Sequence, residues 1–143
     1  MASSRPRLSS SASYSSAFPA ALSTLDRAYE WSNEGLVCPG VGSVTQLAAK
    51  AAPEDTPVVG AFHNLAAGRL ANLDADLDWD TVVVGDERDA KDTVIELAEA
   101  IEGLRALDGG PLANAAEVEA VTPLLINVAR HNDGMHDLGV QFR

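Results

Sequence analysis

Apolar positions along residues 42–143 switch between two periods, and the switches lay out a series of short strands and amphipathic helices. Val44–Ala51 reads as a helix, and Pro53-Glu54-Asp55 turns the chain into Pro57–Phe62, an apolar run of the kind found in buried strands. Thr81–Val84 predicts a second strand, followed by Gly85-Asp86. Asp89–Ile101 carries Val94, Leu97, Ala98 and Ile101 at helical spacing, with Gly103 placed to stop the helix. Leu104–Leu107 predicts a third strand.

The segment from Ala106 to Phe142 is the richest in signals. Gly109-Gly110-Pro111 forces a tight turn, and Asn114 followed three residues later by Glu117 has the spacing of a capping box. Val118, Val121, Leu124, Leu125 and Val128 continue at helical spacing to Asn132, while Thr122-Pro123 removes a backbone donor and bends the axis. Leu138–Phe142 reads as a last short strand. Strands alternating with helices predict an α/β fold, a partial Rossmann-like domain with a largely parallel sheet and a long bent C-terminal helix. No internal repeat is present.

Composition divides the chain. Met1–Thr24 is serine-rich, without apolar order at either period, and is expected to be disordered or loosely attached, so residues 1–41 form one compositional segment and residues 42–143 the folded one. Arg5, Arg7 and the serines, with no acid among them, also fit a transit peptide, but the segment reads better as translation from an unintended start or frame, joined to the true frame between Tyr29 and Gly42. At 143 residues the whole is long enough for one domain with a real core.

The net charge of −11 is unevenly carried: residues 26–143 hold eight basic against 21 acidic side chains, a balance of −13. Such a surface repels polyanions, which argues against nucleic acid and anionic membranes as partners and fits an acidic coat of the halophilic kind. No apolar run approaches the roughly 20 residues that span a bilayer. The single Cys38 has no internal disulfide partner, which suits a reducing, cytoplasmic setting.

Three features invite a chemical reading. Asp74, Asp76 and Asp78 alternate as calcium ligands do, but Trp79 stands where a calcium loop needs Gly and Gly85 where it needs Glu, so they read as a solvated acidic turn. His131 and His136, near Asp133 and Asp137, match no structural zinc spacing, and no metal is expected. His63 follows the Pro57–Phe62 strand, and in parallel α/β sheets ligands lie beyond the carboxyl ends of strands.

Val58-Val59-Gly60-Ala61-Phe62-His63-Asn64-Leu65, the run from Leu77 to Asp86 and the Ala106–Phe142 segment together resemble the C-terminal half of the NADPH-dependent F420 reductases, over about Gly42–Phe142. The resemblance implies an oxidoreductase that moves a hydride between NADP(H) and the deazaflavin coenzyme F420. It places His63 and Leu65 against the deazaflavin, Thr122 near it as a hydroxyl, and Leu138 near the ring as an apolar contact. Hydride passing between two ring carbons needs no acid–base pair, which fits the absence of any such arrangement here and of assigned catalytic residues.

The family's glycine-rich turn for the nicotinamide nucleotide is missing. Gly40-Val41-Gly42 is not followed by a third glycine, since position 45 is Thr, and no apolar strand precedes it. The chain therefore reads as a truncated relative without its NADP-binding half, its partners being small-molecule coenzymes, with a homo-oligomer left open. The competing reading is a non-catalytic α/β module that binds a protein partner through its bent helix.

Overall fold

The computed structural model describes residues 30–32, 35–37, 42–72 and 74–143; the expectations for Met1–Thr24 and for Cys38 lie outside them. Ahead of residue 42, strands β1 (Glu30–Ser32) and β2 (Gly35–Val37) pair antiparallel.

Helix α1 occupies Val44–Ala51, the predicted span. Its start is fixed because all four N–H groups that a helix leaves without intrahelical acceptors are satisfied. The Ser43 N–H donates to Gln46 Oε1 at 3.2 Å and the Gln46 N–H to Ser43 Oγ at 2.9 Å, a capping box. The two amides between them, Val44 and Thr45, donate to the Glu119 carboxylate at 2.7 and 2.8 Å.

Strand β3 (Val59–Gly60) is shorter than the predicted Pro57–Phe62, because Pro57 offers no donor and Phe62 takes a left-handed φ of 64° that turns the chain away. A four-residue helix, α2 (Ala67–Leu70), follows. Strand β4 (Trp79–Gly85) begins two residues before its predicted start. Helix α3 (Arg88–Glu99) begins one residue before the predicted Asp89–Ile101 and ends two residues short of it, and β5 (Leu104–Asp108) completes the sheet in the order β3-β4-β5. β4 and β5 are parallel over five register pairs, from Trp79↔Leu104 to Val83↔Asp108. β3 runs antiparallel to β4 through Val59↔Gly85 and Gly60↔Val84. The α/β class holds, with a mixed sheet whose longer register is the parallel one.

The alternation along β4 sends side chains into two cores. Val83 joins Leu77, Ala98, Leu104 and Ala106 on one side, with Val94, Ile95 and Ile101 packed against them. Val84 joins Ala115 and Val118 on the other. Val83 and Val84 are fully buried, worth about 2 kcal/mol each relative to exposure. Leu97, expected on the inner face of α3, is 63% exposed, and Ile95 packs inward instead.

The C-terminal helix is bent, and the break falls earlier than expected. A 3₁₀ turn (Leu112–Asn114) leads into α4 (Ala115–Glu119), and α5 (Val121–His131) starts beyond Ala120. Pro123 has no N–H for the carbonyl four residues back, that of Glu119, and its ring crowds that carbonyl, so the disturbance lies one turn N-terminal to the proline. The predicted Asn114–Glu117 capping box does not form. The Asn114 side chain donates to the Gly109 carbonyl at 2.8 Å, and its backbone, at φ −85° and ψ 3°, has already left the extended conformation an N-cap needs.

Leu138–Phe142 is not a strand. The segment lies along the amino end of β4, held by the Asp80 N–H donating to Val140 O at 2.7 Å and the Phe142 N–H donating to the Asp80 carboxylate at 2.5 Å. A side-chain acceptor thus stands where a ladder would use a carbonyl. Arg105 holds the same buried carboxylate with two bonds, Nε to Oδ1 at 2.7 Å and Nη2 to Oδ2 at 2.6 Å. That guanidinium keeps the Asp80 carboxyl below its ordinary range, against the opposing effect of burial.

Candidate functional site

A cavity of about 370 Å³ lies where three segments meet. The loop after β3 supplies His63, Asn64, Leu65, Ala66 and Ala67. Helix α5 presents Thr122, Leu125, Ile126 and Ala129, one stripe at helical spacing, and the C-terminal segment adds Asp137 and Leu138. His63, Leu65, Thr122 and Leu138, the four residues singled out in the sequence, all line it. The walls are mainly apolar with a few polar groups, the usual make-up of a small-molecule site, and the volume lies at the lower end of the roughly 300–1,000 Å³ such sites span.

The position of His63 has a different cause from the one its sequence suggested. β3 runs antiparallel to β4, so the chain leaving β3 travels toward the amino end of the parallel pair, not beyond its carboxyl ends. Side chains of β4 and of the loop hold it there: Phe62 N–H donates to Thr81 Oγ1 at 3.1 Å, and the buried Asn64 donates its Nδ2 to the Asp80 carbonyl at 2.6 Å. The carboxyl ends of β4 and β5 are taken up structurally. Asp86 accepts from the Leu112 N–H at 2.9 Å, and Asp108 accepts from Lys91 Nζ at 2.7 Å and from the Gly110 N–H at 2.8 Å. Lys91, helped by that N–H, holds the Asp108 carboxyl below its usual range.

Two hydroxyls fix His63. Thr122 Oγ1 donates to the His63 carbonyl at 2.5 Å, 59 residues away in sequence, rather than to the carbonyl one turn earlier in its own helix. Thr45 Oγ1 lies 3.2 Å from His63 Nε2 and donates to Glu119 Oε1 at 2.6 Å. Glu119 Oε1 is 3.7 Å from His63 Nε2, and its side chain is only 3% exposed. Burial lowers the His63 pKa below its ordinary 6.5, outweighing the opposing pull of Glu119. Ring nitrogen Nδ1 is buried without a hydrogen-bond partner.

Hydroxyl, imidazole and carboxylate meet here, yet the order differs from that of a nucleophilic triad. There the hydroxyl donates to the imidazole and the imidazole to the carboxylate. Here the hydroxyl donates to the carboxylate, so Thr45 is not an activated nucleophile.

Sequence patterns did not single out Glu119 or Thr45, although a signal for Glu119 was present: it falls on the helical face shared by Ala115, Val118 and Thr122, an acidic residue at an inward position, which calls for a buried partner. The acidic turn lies elsewhere, with Asp74, Asp76 and Asp78 exposed and Asp78 accepting from Gln141 Nε2 at 2.9 Å. His131 and His136 are exposed, and His136 Nδ1 lies 3.2 Å from the Gly134 carbonyl. Among the described residues, no helix is long and apolar enough to cross a membrane.

Three curated proteins named F420-dependent NADP reductase match the chain. That of Methanothermobacter marburgensis is 43% identical over 88 residues, 61% of this chain and 39% of that protein. The protein of Methanothermobacter thermautotrophicus is 42% identical over 92 residues, 64% and 40% of the two chains. That of Methanocaldococcus jannaschii is 41% identical over 93 residues, 65% and 41%. The chain thus shares a homologous stretch with F420-dependent NADP reductases and spans about two fifths of the length of these relatives. No protein-family model matches it.

Proposed function

We propose that residues 42–143 form the coenzyme-side wall of an oxidoreductase that passes a hydride between NADP(H) and the deazaflavin coenzyme F420. The observation that carries this reading is the convergence of His63, Leu65, Thr122 and Leu138 on one cavity, from three segments spread over 76 residues of sequence. The donor set fits a planar heterocycle. Leu65, Leu125 and Leu138 offer apolar contact, the His63 ring a flat edge, and Asn64 and Asp137 polar groups.

When bound, the deazaflavin supplies the ring carbon that takes or gives up the hydride. The chain's own residues bind, orient and exclude water. Thr122 steadies the loop by holding the His63 carbonyl, and the α5 stripe from Thr122 to Ala129 forms a continuous helical wall. His63, its pKa lowered by burial, is neutral near pH 7 and adds no positive charge to the cavity. NADP is the co-substrate in this reading, and the sequence offers it no glycine-rich phosphate cradle.

Titration of coenzyme F420 against the purified chain, followed by the coenzyme's absorbance and fluorescence, tests the assignment. Saturable binding is expected, weakened several-fold by His63→Ala and Leu65→Ala and little changed by His136→Ala. Equal effects of the two histidine substitutions would overturn it. The same chain mixed with NADP and reduced coenzyme is expected to turn over slowly or not at all.

The alternative, a protein-binding module, draws support from the side of the bent helix turned away from the cavity, where Leu124 is 59% exposed and Val128 36% exposed. An absence of coenzyme binding in the titration would favour it.

A further inference from the structure

The proton inventory around His63 is closed enough to assign its tautomer. A threonine hydroxyl has one proton. At 2.6 Å the Thr45–Glu119 contact has the length of an O–H bonded to a carboxylate, and a carboxylate only accepts, so that proton lies between Thr45 Oγ1 and Glu119 Oε1. Thr45 Oγ1 is then left with lone pairs, and the 3.2 Å contact to His63 Nε2 requires the imidazole to donate. Glu119 is locked in its turn by the Val44 and Thr45 N–H groups at the start of α1, which fixes the direction of the whole relay. Gly60 makes room for it: a Cβ there would lie 2.9 Å from Thr45 Cγ2 and 3.1 Å from His63 Cε1.

We propose that Thr45 and Glu119 are positioning residues that hold His63 as the neutral tautomer protonated at Nε2, with Nδ1 bare. Neither residue lines the cavity; both act through the imidazole. The amino end of α1 thereby sets the hydrogen-bonding character of a cavity wall: the ring's only N–H is taken by Thr45, and a bound heterocycle meets an imidazole that cannot protonate it. The role in coenzyme binding rests on the function proposed above, whereas the tautomer is a property of the free protein and is measured without coenzyme.

Long-range proton–nitrogen correlation spectra of the ¹⁵N-labelled full chain, recorded well above pH 6.5, read the tautomer directly, with His63→Gln assigning the signal. The expected result is a single form, with Nδ1 showing the shift of an unprotonated nitrogen and Nε2 that of a protonated one. Thr45→Val removes the hydroxyl but keeps both backbone N–H bonds to Glu119, and it should release the ring into a mixture of tautomers. Thr45→Ser should restore the single form. A wild-type His63 protonated at Nδ1, an averaged signal, or a Thr45→Val spectrum identical to wild type would overturn the assignment. Should Thr45→Val fail to fold, the wild-type and Thr45→Ser spectra still decide it. Coenzyme titration of the wild type is independent of this outcome, so the two readings fail separately.

Discussion

Thr122 Oγ1 donates to the backbone carbonyl of His63 at 2.5 Å, tying the first turn of α5 to the loop that follows β3. Both residues line the cavity, and the bond sets the spacing between two of its walls. A side chain already committed in this way contributes through what it holds in place as much as through what it touches.

Replacing Thr122 by Val keeps the volume similar and leaves the half-buried His63 carbonyl without its donor. Stability should fall by about 1–2 kcal/mol, a hydrogen bond plus part of an unmet polar group, and coenzyme F420 binding should weaken several-fold. Thr122→Ser should recover most of both. Urea denaturation and coenzyme titration of the two variants measure this; a Val variant as stable as wild type would show that the bond contributes nothing.

Glu119→Ala should be among the most damaging single changes. It removes the acceptor for two N–H groups of α1 and for the Thr45 hydroxyl in a site closed to water. Leaving several donors unmet costs on the order of 3 kcal/mol or more. Glu119→Gln, which keeps one acceptor oxygen, should lose less. Thermal unfolding ranks the two, and the opposite order would contradict the hydrogen-bond account.

Stability should depend on pH through His63. Its folded pKa lies below the ordinary 6.5, so the unfolded chain binds the proton more readily. The associated stability is complete above 6.5 and is lost as pH falls from there through the lowered native value. Asp80 and Asp108 have the same sign in a lower window, their contributions present above 3.8 and lost below it. In denaturation midpoints taken across pH, His63→Gln should remove the upper decline and leave the lower one, and an unchanged profile would assign the upper decline to another group.

Gly139 packs its backbone on Trp79: a Cβ there would lie 2.1 Å from the indole carbons Cδ2 and Cε2. Gly139→Ala must push the C-terminal segment off the ring, an overpacking cost of about 1–3 kcal/mol. The shift carries the adjacent Leu138 out of the cavity wall. Coenzyme binding should therefore weaken together with thermal stability, and loss of stability alone would separate Leu138 from the site.

Much of this protein could be read from its sequence because the deciding forces are local. Helical and strand periods located α1, β4, α3 and β5, since an apolar face must be buried wherever it recurs. Pro123 implied a bend for the same kind of reason, a missing donor within a few residues. His63, Leu65, Thr122 and Leu138 were picked out by resemblance, from three separate stretches of sequence.

Only the tertiary structure decided how those stretches meet. The antiparallel pairing of β3 carried His63 toward the amino end of β4 and against α5, a choice of strand direction that no period encodes. The burial of Glu119 under the start of α1 and the replacement of a last strand by Asp80's carboxylate both depend on partners dozens of residues away. Sequence patterns fix which faces seek burial. Which polar groups end up sharing a buried space is settled when the segments pack and each donor must find an acceptor.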